Sequence, residues 1–281
     1  MLTIQKAKPI IKWAGGKKSL LRTIVPLFPT AYNTYFEPFV GGGSVFLEVH
    51  PDCAVIGDAN IWLIETYKAV RDDWLRVQSL LDSMKNTREE FLKVRSVGSN
   101  TVCRFQRAAN FIYLNKTCFR GLFRVNKKGM FNVPYGEYNR PYYSQGYLES
   151  FAYSLGDVEF RVGDFEFNID GASAGDFIYF DPPYYKSGEY SDFNRYTALQ
   201  FKEAEQIRLA ALCRELDNKG VKWALSNSNT SFIRELYYDF NFTEVSGRRE
   251  INLNSKKRGV TELLIRNYEK EKEVEQLKLL F

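Results

Sequence analysis

The stretch GDFIYFDPPY, residues 175 to 184, decides how the chain folds. Its apolar run, residues 177 to 180, predicts a buried β-strand that begins after a glycine-aspartate turn. The two prolines fix their own φ angles and hold the residue before each in an extended conformation, so a stiff turn is expected at the carboxyl end of the strand. Because open α/β sheets bind their ligands at that edge, the stretch indicates an α/β fold with a site at this turn.

The turn presents three groups in fixed directions: the Asp181 carboxylate, the Pro182 carbonyl and the Tyr184 ring. The exocyclic amine of a nucleobase is a poor nucleophile because its lone pair is delocalised into the ring. Two acceptors that each take an N–H would aim that lone pair at an electrophile while the aromatic ring stacks on the base. An acidic loop that only ends a strand is the alternative, and the coincidence of stiff turn, paired acceptors and ring favours catalysis over it.

The composition indicates a globular protein with room for an insertion. At 281 residues, 44% of them hydrophobic, the chain can hold one large α/β domain plus an inserted subdomain and is not disordered. A net charge of +5 permits a polyanionic partner. Neither a signal peptide nor an apolar run long enough to cross a membrane is found, so a cytoplasmic protein without a membrane partner is expected.

Cysteine and histidine usage argues against a metal site. The four cysteines, Cys53, Cys103, Cys118 and Cys213, are far apart and show no metal-type spacing, which predicts reduced and mostly buried thiols. The single histidine, His50, ends a predicted helix and is expected to be structural. We therefore expect neither a bound metal nor a Ser-His triad.

A glycine pair near the amino terminus predicts a ligand-facing turn. Residues 10 to 19, IIKWAGGKKS, should open onto a helix whose first N–H groups could hold an anion. The stretch is not a P-loop, because a lysine follows Gly16-Lys17 where serine or threonine is required. Lys12 and Lys17 are thus free to meet phosphate, base or carboxylate, although a solvated basic turn is an equal alternative.

A second glycine-rich stretch, YFEPFVGGGSVF at residues 35 to 46, predicts a strand, a tight turn and the start of a helix. Its glycines allow the backbone to approach a ligand closely at the positive end of the helix. Asp58 follows Glu37 by about 20 residues, the spacing at which an acid meets ribose hydroxyls in Rossmann-like units. Phe46 stands where the third glycine of a dinucleotide fingerprint would be, which disfavours a pyrophosphate and favours an adenosyl ligand without phosphates.

Residues 60 to 147 are predicted to form a largely helical insertion, which divides the catalytic domain into residues 1–59 and 148–281. At its far end, residues 115 to 136 carry a turn signal at Asn126 to Gly129 and predict a β-hairpin with basic and aromatic groups. Arginine can read guanine edges, and an aromatic or leucine side chain can wedge into a base stack. A hairpin that only faces solvent is the alternative.

The second half of the chain returns to the sheet. A strand at residues 158 to 162 ends at Gly163-Asp164-Phe165, an acid and an aromatic placed to border an adenine. Further expected elements are a flap at residues 185 to 201, a helix at 202 to 218, a strand at 221 to 225, a basic loop at 248 to 258, a closing strand at 262 to 266 and a charged tail from Glu269. The basic loop could contact phosphates or only be solvated.

Four motifs in this order resemble those of the Dam-type DNA adenine-N6 methyltransferases of the α group: KWAGGK at residues 12–17, FEPFVGGG at 36–43, FNVPYG at 131–136 and DPPY at 181–184. The resemblance implies an α/β fold, a Rossmann-like S-adenosylmethionine-dependent methyltransferase sheet with an inserted, mostly helical target-recognition subdomain bearing a β-hairpin. It also implies S-adenosyl-L-methionine as donor, S-adenosyl-L-homocysteine as product, and no metal. The implied target is an adenine flipped out of double-stranded DNA, commonly within GATC.

The resemblance also implies roles for matched positions. The methyl donor would be surrounded by Trp13, Lys17, Phe39, Gly41, Gly43, Asp58, Asp164, Phe165 and Asp181, and the adenine would be held by Asp181, Pro182 and Tyr184. DNA would be contacted by Lys12, Phe119, Arg120, Leu122, Arg124 and Pro134. Two positions depart from the family, since Arg120 stands where asparagine is frequent and Phe119 replaces the tyrosine of some members. These departures affect the target site rather than the reaction.

We therefore expect a site-specific DNA adenine-N6 methyltransferase, monomeric in solution, with a restriction endonuclease of the same system as a candidate partner. An RNA adenine methyltransferase is the nearest alternative, and the basic hairpin counts against it. A catalytically silent DNA-binding partner of a restriction system is the second alternative. A nicotinamide oxidoreductase, which Phe46 disfavours, is the third.

Overall fold

The described residues form a seven-stranded sheet with hydrophobic clusters on both faces. The computed structural model describes residues 7–126, 128–139, 141–143, 146–185, 201–246 and 261–269. The strands are β1 (Tyr35–Glu37), β2 (Ala54–Asp58), β3 (Glu159–Val162), β4 (Phe177–Phe180), β5 (Lys222–Ser228), β6 (Asn241–Ser246) and β7 (Thr261–Arg266). Their order is β3-β2-β1-β4-β5-β7-β6. This is the doubly wound order of a Rossmann sheet with one further strand, β7, inserted between β5 and β6.

Strand direction defines the ligand-binding edge of this sheet. Strands β1 to β5 are mutually parallel, whereas β7 is antiparallel to both of its neighbours. Successive strands are added in one direction from β1 to β3 and in the other direction from β4 onward, so the topological switch point lies between β1 and β4. Ligands of such sheets bind at the switch point, in the crevice outside the carboxyl ends of the strands. The predicted Rossmann-like α/β architecture is therefore confirmed. Glu37 and Asp181, at the ends of β1 and β4, stand at this switch point.

The apolar run before the catalytic turn forms the central strand β4. All four of its residues are fully buried. Phe177 and Tyr179 belong to the hydrophobic cluster on one face of the sheet, whereas Ile178 and Phe180 belong to the cluster on the other. Successive side chains of a strand point to opposite faces, and both faces of β4 are covered. This explains why its sequence is uniformly apolar instead of alternating.

The helices of the described residues are α1 (Leu21–Ile24), α2 (Ser44–Val49), α3 (Ile61–Asp82), α4 (Arg88–Val97), α5 (Arg104–Thr117), α6 (Tyr147–Leu155), α7 (Phe165–Asn168), α8 (Glu203–Asn218) and α9 (Ser231–Leu236). Helix α1 is one turn long, because Pro26 in the following 3-10 turn, Val25–Leu27, has no N–H to continue it. The helix expected after Gly16 is therefore present but short, and the anion site expected at its start stays a prediction.

Helix α3 belongs to two layers of the structure. Its backbone breaks at Asp73 (φ −160°, ψ 78°), whose Oδ1 accepts the Arg76 N–H at 3.0 Å and begins the second half of the helix. The first half packs in the core over the sheet, and Tyr67 there donates its hydroxyl to the Gly41 carbonyl at 2.6 Å. The first half of α3, although it follows residue 60, therefore packs on the sheet of the catalytic domain. The boundary between that domain and the insertion, expected at residue 60, stays a prediction.

The predicted hairpin is an irregular chain reversal. Val125 and Phe131 form an isolated antiparallel bridge, and the Asn126 N–H donates to the Met130 carbonyl at 2.9 Å. Phe123 and Phe131 are both buried and belong to the main hydrophobic cluster. The apolar side of the hairpin therefore packs into the protein, and the reversal does not stand free in solvent.

Four elements had no signal in the sequence analysis: α6, α7, α9 and β6. Strand β6 is a largely exposed edge strand, so its residues lack the apolar run that predicts a buried strand. Residues 186 to 200 of the flap expected at 185 to 201, the basic loop at 248 to 258 and the tail beyond Glu269 lie outside the described residues. Over the part of the chain that is described, no helix has the length and apolar character needed to span a bilayer.

The cysteines and the histidine fall in different environments. Cys118 and Cys213 are buried, Cys103 is partly buried and Cys53 is exposed, so the expectation of mostly buried thiols holds for two of the four. His50 is exposed and ends α2 in a left-handed conformation (φ 49°). Its position at a helix end agrees with a structural role.

Gly57 in β2 marks very close packing beneath the ligand-binding edge. A Cβ added there would lie 2.5 Å from Asn168 Cγ. Asn168 Nδ2 donates to the Pro38 and Gly163 carbonyls at 3.2 and 3.1 Å. We expect Gly57→Ala to lower the free energy of unfolding by about 1–3 kcal/mol, because the added methyl group displaces this hydrogen-bonded side chain. Chemical denaturation measures the change.

The double variant Gly57→Ala/Asn168→Gly is the matched control, because it removes both the amide and the Asn168 Cβ, which would lie 2.8 Å from the added methyl group. Gly57→Ala should therefore cost less in the Asn168→Gly background than in the wild-type protein. Equal costs in both backgrounds would contradict the steric explanation.

Candidate active site

The catalytic turn predicted at residues 181 to 184 lies at the carboxyl end of β4, beside the switch point. Pro182 is buried, whereas the Asp181 side chain is 19% exposed and Tyr184 is partly exposed. The turn is therefore not sealed inside the core. Its carboxylate and ring can be reached from the edge where ligands of this type of sheet bind.

Lys17 is the main electrostatic partner of the turn. Its ammonium group contacts the two Asp181 carboxylate oxygens at 2.6 and 2.7 Å and donates to the Gly15 carbonyl at 2.8 Å. Lys17 is only 3% exposed, and its Nζ lies 4.8 Å from the centroid of the Tyr184 ring. Burial raises the pKa of Asp181, and the Lys17 charge partly counteracts this rise. The sequence left phosphate, a base and a carboxylate open as partners of Lys17, and in the structure its partner is the Asp181 carboxylate.

The glycine turn after β1 packs against Trp13. A Cβ added at Gly41 would lie 2.6 Å from Trp13 Cδ1, and the φ of +46° at Gly41 also favours glycine. Gly43 follows with φ 71° and starts α2. The Trp13 ring stacks on Phe123 of the hairpin with centroids 5.5 Å apart. Three residues predicted to face the donor are thus brought together, and Trp13 connects them to the insertion.

Asp58 ends β2 next to the glycine turn. Its carboxylate accepts the Gly41 N–H at 3.1 Å and the Asn60 N–H at 2.8 Å. Burial raises the pKa of Asp58 to about 6, and the backbone N–H donors partly counteract this rise. The acid predicted to meet ribose hydroxyls is therefore tied to the turn that was predicted to approach the same ligand.

Asp164 and Phe165, after β3, are covered by Arg208. One Asp164 oxygen caps α7 by accepting the Glu166 N–H at 3.1 Å, and the other forms an ion pair with Arg208. The Arg208 guanidinium lies 4.3 Å from the centroid of the Phe165 ring, and Phe39 stacks on that ring at 5.6 Å. Phe165 is only 3% exposed, so an adenine can lie on this ring only if Arg208 moves.

Glu37, at the carboxyl end of β1, is a buried acid that the sequence analysis did not include among the site residues. It is 2% exposed, and its Oε2 accepts the Tyr35 hydroxyl at 2.7 Å. Burial raises the pKa of Glu37 to about 8, and the Asp181 charge contributes to the rise. Glu37 is therefore mostly protonated at neutral pH. Its only sequence signal is its place before the Pro-Phe of the glycine-rich stretch.

Two buried side-chain amides hold the catalytic turn from behind. Gln206 Nε2 donates to the Pro183 carbonyl at 2.9 Å, and Gln206 Oε1 accepts from Asn227 Nδ2 at 3.0 Å. Asn227 Oδ1 accepts the Tyr185 N–H at 3.1 Å. Both amides are fully buried. The sequence analysis missed this role, because a single glutamine in a predicted helix carries no signal of its partner.

Lys12, predicted to read a base, is exposed where the amino-terminal segment meets the insertion. Asn115 accepts the Lys12 N–H at 2.7 Å and donates to the Lys12 carbonyl at 2.8 Å, which fixes the backbone on both sides. The Lys12 Nζ lies 5.7 Å from the centroid of the Tyr138 ring. These two side chains line a cavity of about 220 Å³ together with Asn86, Lys116, Pro141 and Tyr142.

Arg120, another predicted DNA contact, is hydrogen-bonded to Tyr138, and Phe119 lies next to Arg120. The Arg120 N–H donates to the Tyr138 hydroxyl at 2.7 Å, and Arg120 adopts a left-handed conformation (φ 58°). The Phe119 ring is exposed, with the Arg120 guanidinium 5.1 Å from its centroid. The Phe119 N–H donates to the carbonyl of Pro134 at 2.8 Å. Leu122 is partly buried.

Arg124 is oriented by contacts within the hairpin. Its Nε donates to Asn132 Oδ1 at 2.8 Å and its Nη2 donates to the Asn132 carbonyl at 3.3 Å. The Asn132 N–H in turn donates to the Arg124 carbonyl at 3.0 Å. The direction of this guanidinium group is therefore set by the protein itself.

Three acids end the strands at the switch point: Glu37 on β1, Asp58 on β2 and Asp181 after β4. Among the described residues no group of His, Cys, Asp and Glu side chains is arranged to hold a metal ion. The parallel sheet with its antiparallel β7, the glycine turn beside Asp58 and the Asp181 turn define the class of Rossmann-like methyltransferases.

Comparison with known proteins identifies the family within that class. Residues 13–251 match the family described as D12 class N6 adenine-specific DNA methyltransferase, and the chain belongs to this family. The Dam-type resemblance is thereby confirmed. The protein is an adenine-specific DNA methyltransferase, a class of enzyme that depends on S-adenosylmethionine, and the nicotinamide oxidoreductase alternative is wrong.

Several curated proteins are similar to the chain over nearly their full length. The Type II methyltransferase M1.LlaDCHI of Lactococcus lactis subsp. cremoris is 40% identical, over 93% of this chain and 95% of that protein. The Type II methyltransferase M.MjaIII of Methanocaldococcus jannaschii is also 40% identical, over 94% and 100%. A DNA adenine methylase of Haemophilus influenzae is 33% identical, over 90% and 91%.

Glu37→Gln should change how stability depends on pH. The pKa of Glu37 is about 8 in the folded protein, against an ordinary value of 4.5, so the folded state binds the extra proton between these values. The stabilisation from this proton is fully present below the unfolded pKa and is lost as pH rises through the folded pKa. Glu37→Gln keeps an acceptor for Tyr35 and is never charged. Its stability should fall less than that of the wild type between about pH 5 and pH 8.

Thermal unfolding of both proteins across this pH range measures the difference. Glu159→Gln, at an exposed acid on β3, is the matched control and should follow the wild-type curve. Parallel curves for wild type and Glu37→Gln would show that Glu37 is not protonated in the folded protein.

Proposed function

We propose that this enzyme transfers the methyl group of S-adenosylmethionine to N6 of an adenine flipped out of double-stranded DNA. Asp181, Pro182 and Tyr184 are the proposed catalytic residues. The observation that carries the proposal is the partly buried Asp181 carboxylate, paired with Lys17 beside the Tyr184 ring at the end of β4. The Asp181 carboxylate and the Tyr184 ring belong to the same stiff turn, so their relative positions are fixed. Fixed positions are what holding an exocyclic amine for reaction requires.

The proposed donor site consists of Trp13, Lys17, Phe39, Gly41, Gly43, Asp58, Asp164, Phe165 and Asp181. The chemistry of these residues fits the donor, because Asp58 can accept ribose hydroxyls beside a glycine turn and the Phe165 ring can meet an adenine once Arg208 moves. The hydrogen bond between Asp58 and the Gly41 N–H supports a common site. The bound donor supplies a methyl group on a positively charged sulfur.

Asp181 and the Pro182 carbonyl would each accept one N–H of the target amine. Lys17 contacts both Asp181 oxygens, and each oxygen keeps a second lone pair that can accept an N–H of the amine. The amine would become positively charged as its bond to the methyl group forms and the bond from that methyl group to the donor sulfur breaks, which releases S-adenosyl-L-homocysteine. A proton would then pass from the amine to the Asp181 carboxylate or to water. A carboxylate with a raised pKa is the stronger acceptor for that charged N–H. Extrusion of the base costs a few kcal/mol, which stacking on Tyr184 offsets.

We further propose that the insertion, residues 60 to 147, reads GATC or a related site while residues 1–59 and 148–281 carry the reaction. The proposed DNA contacts are Lys12, Phe119, Arg120, Leu122, Arg124 and Pro134. The exposure of Phe119 and Arg120 supports this assignment. A monomeric enzyme with a restriction endonuclease partner is the proposed context, supported by the two relatives named Type II methyltransferases.

Asp181→Ala should abolish most of the activity. Loss of a fixed acceptor at the reacting amine is expected to lower kcat by about a hundredfold or more. Transfer of tritiated methyl groups from S-adenosylmethionine to duplex DNA measures it. Asp157→Ala, at an exposed acid before β3, is the matched control and should retain wild-type activity. A near wild-type rate for Asp181→Ala would refute the mechanism.

The same assay separates the remaining alternatives. Faster transfer to single-stranded or structured RNA than to duplex DNA would favour the RNA methyltransferase. Binding of duplex DNA without binding of S-adenosylmethionine in calorimetry would identify a silent partner. Transfer to adenine in duplex DNA alone is the result we expect.

Arg124→Ala should relax sequence specificity at one base pair of the target. A bidentate arginine contributes about 1–3 kcal/mol of discrimination against a wrong base, so the preference should fall by about 5- to 150-fold at that position alone. Sequencing of methylated adenines in a randomised DNA library measures it. Arg234→Ala, on α9, is the control. Unchanged specificity of Arg124→Ala would remove this residue from base recognition.

A further inference from the structure

Glu262 on β7 reaches the aromatic ring of the catalytic turn. Its Oε2 accepts the Tyr184 hydroxyl at 2.7 Å, across 78 residues of sequence. Glu262 is 9% exposed and pairs in register with Ser228 of β5, which places it close to the ligand-binding edge of the sheet. The mechanism above uses the ring of Tyr184 but assigns nothing to this carboxylate.

The hydrogen bond to Glu262 holds the hydroxyl end of the Tyr184 ring, the end farthest from the backbone. A hydrogen bond from a phenol to a carboxylate is charge-assisted and about twice as strong as a neutral one. It fixes the far end of the ring, while the Asp181 turn fixes the near end through the backbone. A stacking ring held at both ends cannot tilt away from the base, and catalytic groups lose rate when they are loosely held.

The same bond also increases the electron density of the ring. A phenol that donates to a carboxylate carries part of the character of a phenolate, and electron-rich ring faces attract cations. The ring already has a cation beside it, because Lys17 Nζ lies 4.8 Å from its centroid. The target amine becomes cationic only as the methyl group is transferred. An electron-rich ring therefore stabilises the transition state more than the bound substrate.

We propose that Glu262 is a positioning residue of the methyl transfer: it orients the Tyr184 ring and polarises it toward the amine that becomes charged. The inference rests on the proposed function, because it requires that Tyr184 stack on the target adenine. The role is expressed in kcat. Affinity for the donor and for DNA should change little, because Glu262 acts through the Tyr184 ring.

Three variants test the proposal: Glu262→Gln, Tyr184→Phe and the double variant. Glu262→Gln keeps an acceptor for the hydroxyl but removes its charge, and Tyr184→Phe removes the hydroxyl and keeps the ring. We expect each single variant to lower kcat by about tenfold with KM for DNA changed less than about twofold. Because both act through one bond, the double variant should be no slower than the slower single variant.

Glu244→Gln, the same change on the neighbouring strand β6, is the control and should retain wild-type kcat. Losses that multiply in the double variant, or a wild-type kcat for either single variant, would overturn the proposal. If Glu262→Gln fails to fold, Tyr184→Phe alone decides, since it breaks the same bond and leaves Glu262 in place. Wild-type protein in the same assay distinguishes failure of the proposed function from failure of the Glu262 role. An inactive wild type refutes the proposed function. An active wild type, combined with single-variant losses that multiply in the double variant, refutes only the role of Glu262.

Discussion

The buried ion pair between Lys17 and Asp181 is the constraint on which the site depends. Taking either charge out of water costs several kcal/mol, and only their close contact, with the bond from Lys17 to the Gly15 carbonyl, offsets that cost. The pair joins the glycine-pair loop to the end of β4, 164 residues further along the chain. Loop and turn must therefore form together, since either charge alone would be uncompensated.

The acids around this pair are less negative than their number suggests. Glu37 has a pKa of about 8 and is mostly neutral at pH 7, while Asp58, with a pKa of about 6, is stabilised by backbone N–H donors. Burial is the main cause of both shifts, and the nearby Asp181 charge adds to the shift of Glu37. Of the three acids, Asp181 is the one whose carboxylate directly contacts an ammonium group, that of Lys17.

Hydrogen bonds from residues of three other elements fix the geometry of the turn at residues 181 to 185. Gln206 of α8 and Asn227 of β5 hold its backbone at Pro183 and Tyr185, and Glu262 of β7 holds its ring. These supports come from the carboxyl-terminal part of the sheet, whereas Lys17 comes from the amino-terminal loop. The turn is therefore positioned only when both ends of the chain have folded onto the sheet.

Local patterns in the sequence were enough to determine the class of fold, the β4 turn, the glycine turn near Asp58 and the helices that follow residue 60. Apolar runs, prolines and glycines restrict the backbone wherever they occur, so these elements can be recognised without knowing their neighbours. Only the tertiary structure decided that Lys17 pairs with Asp181, that Glu37 is protonated and that Arg208 covers Phe165. Those properties depend on burial and on partners far away in the chain, and burial and partner distances exist only once the strands have assembled in register.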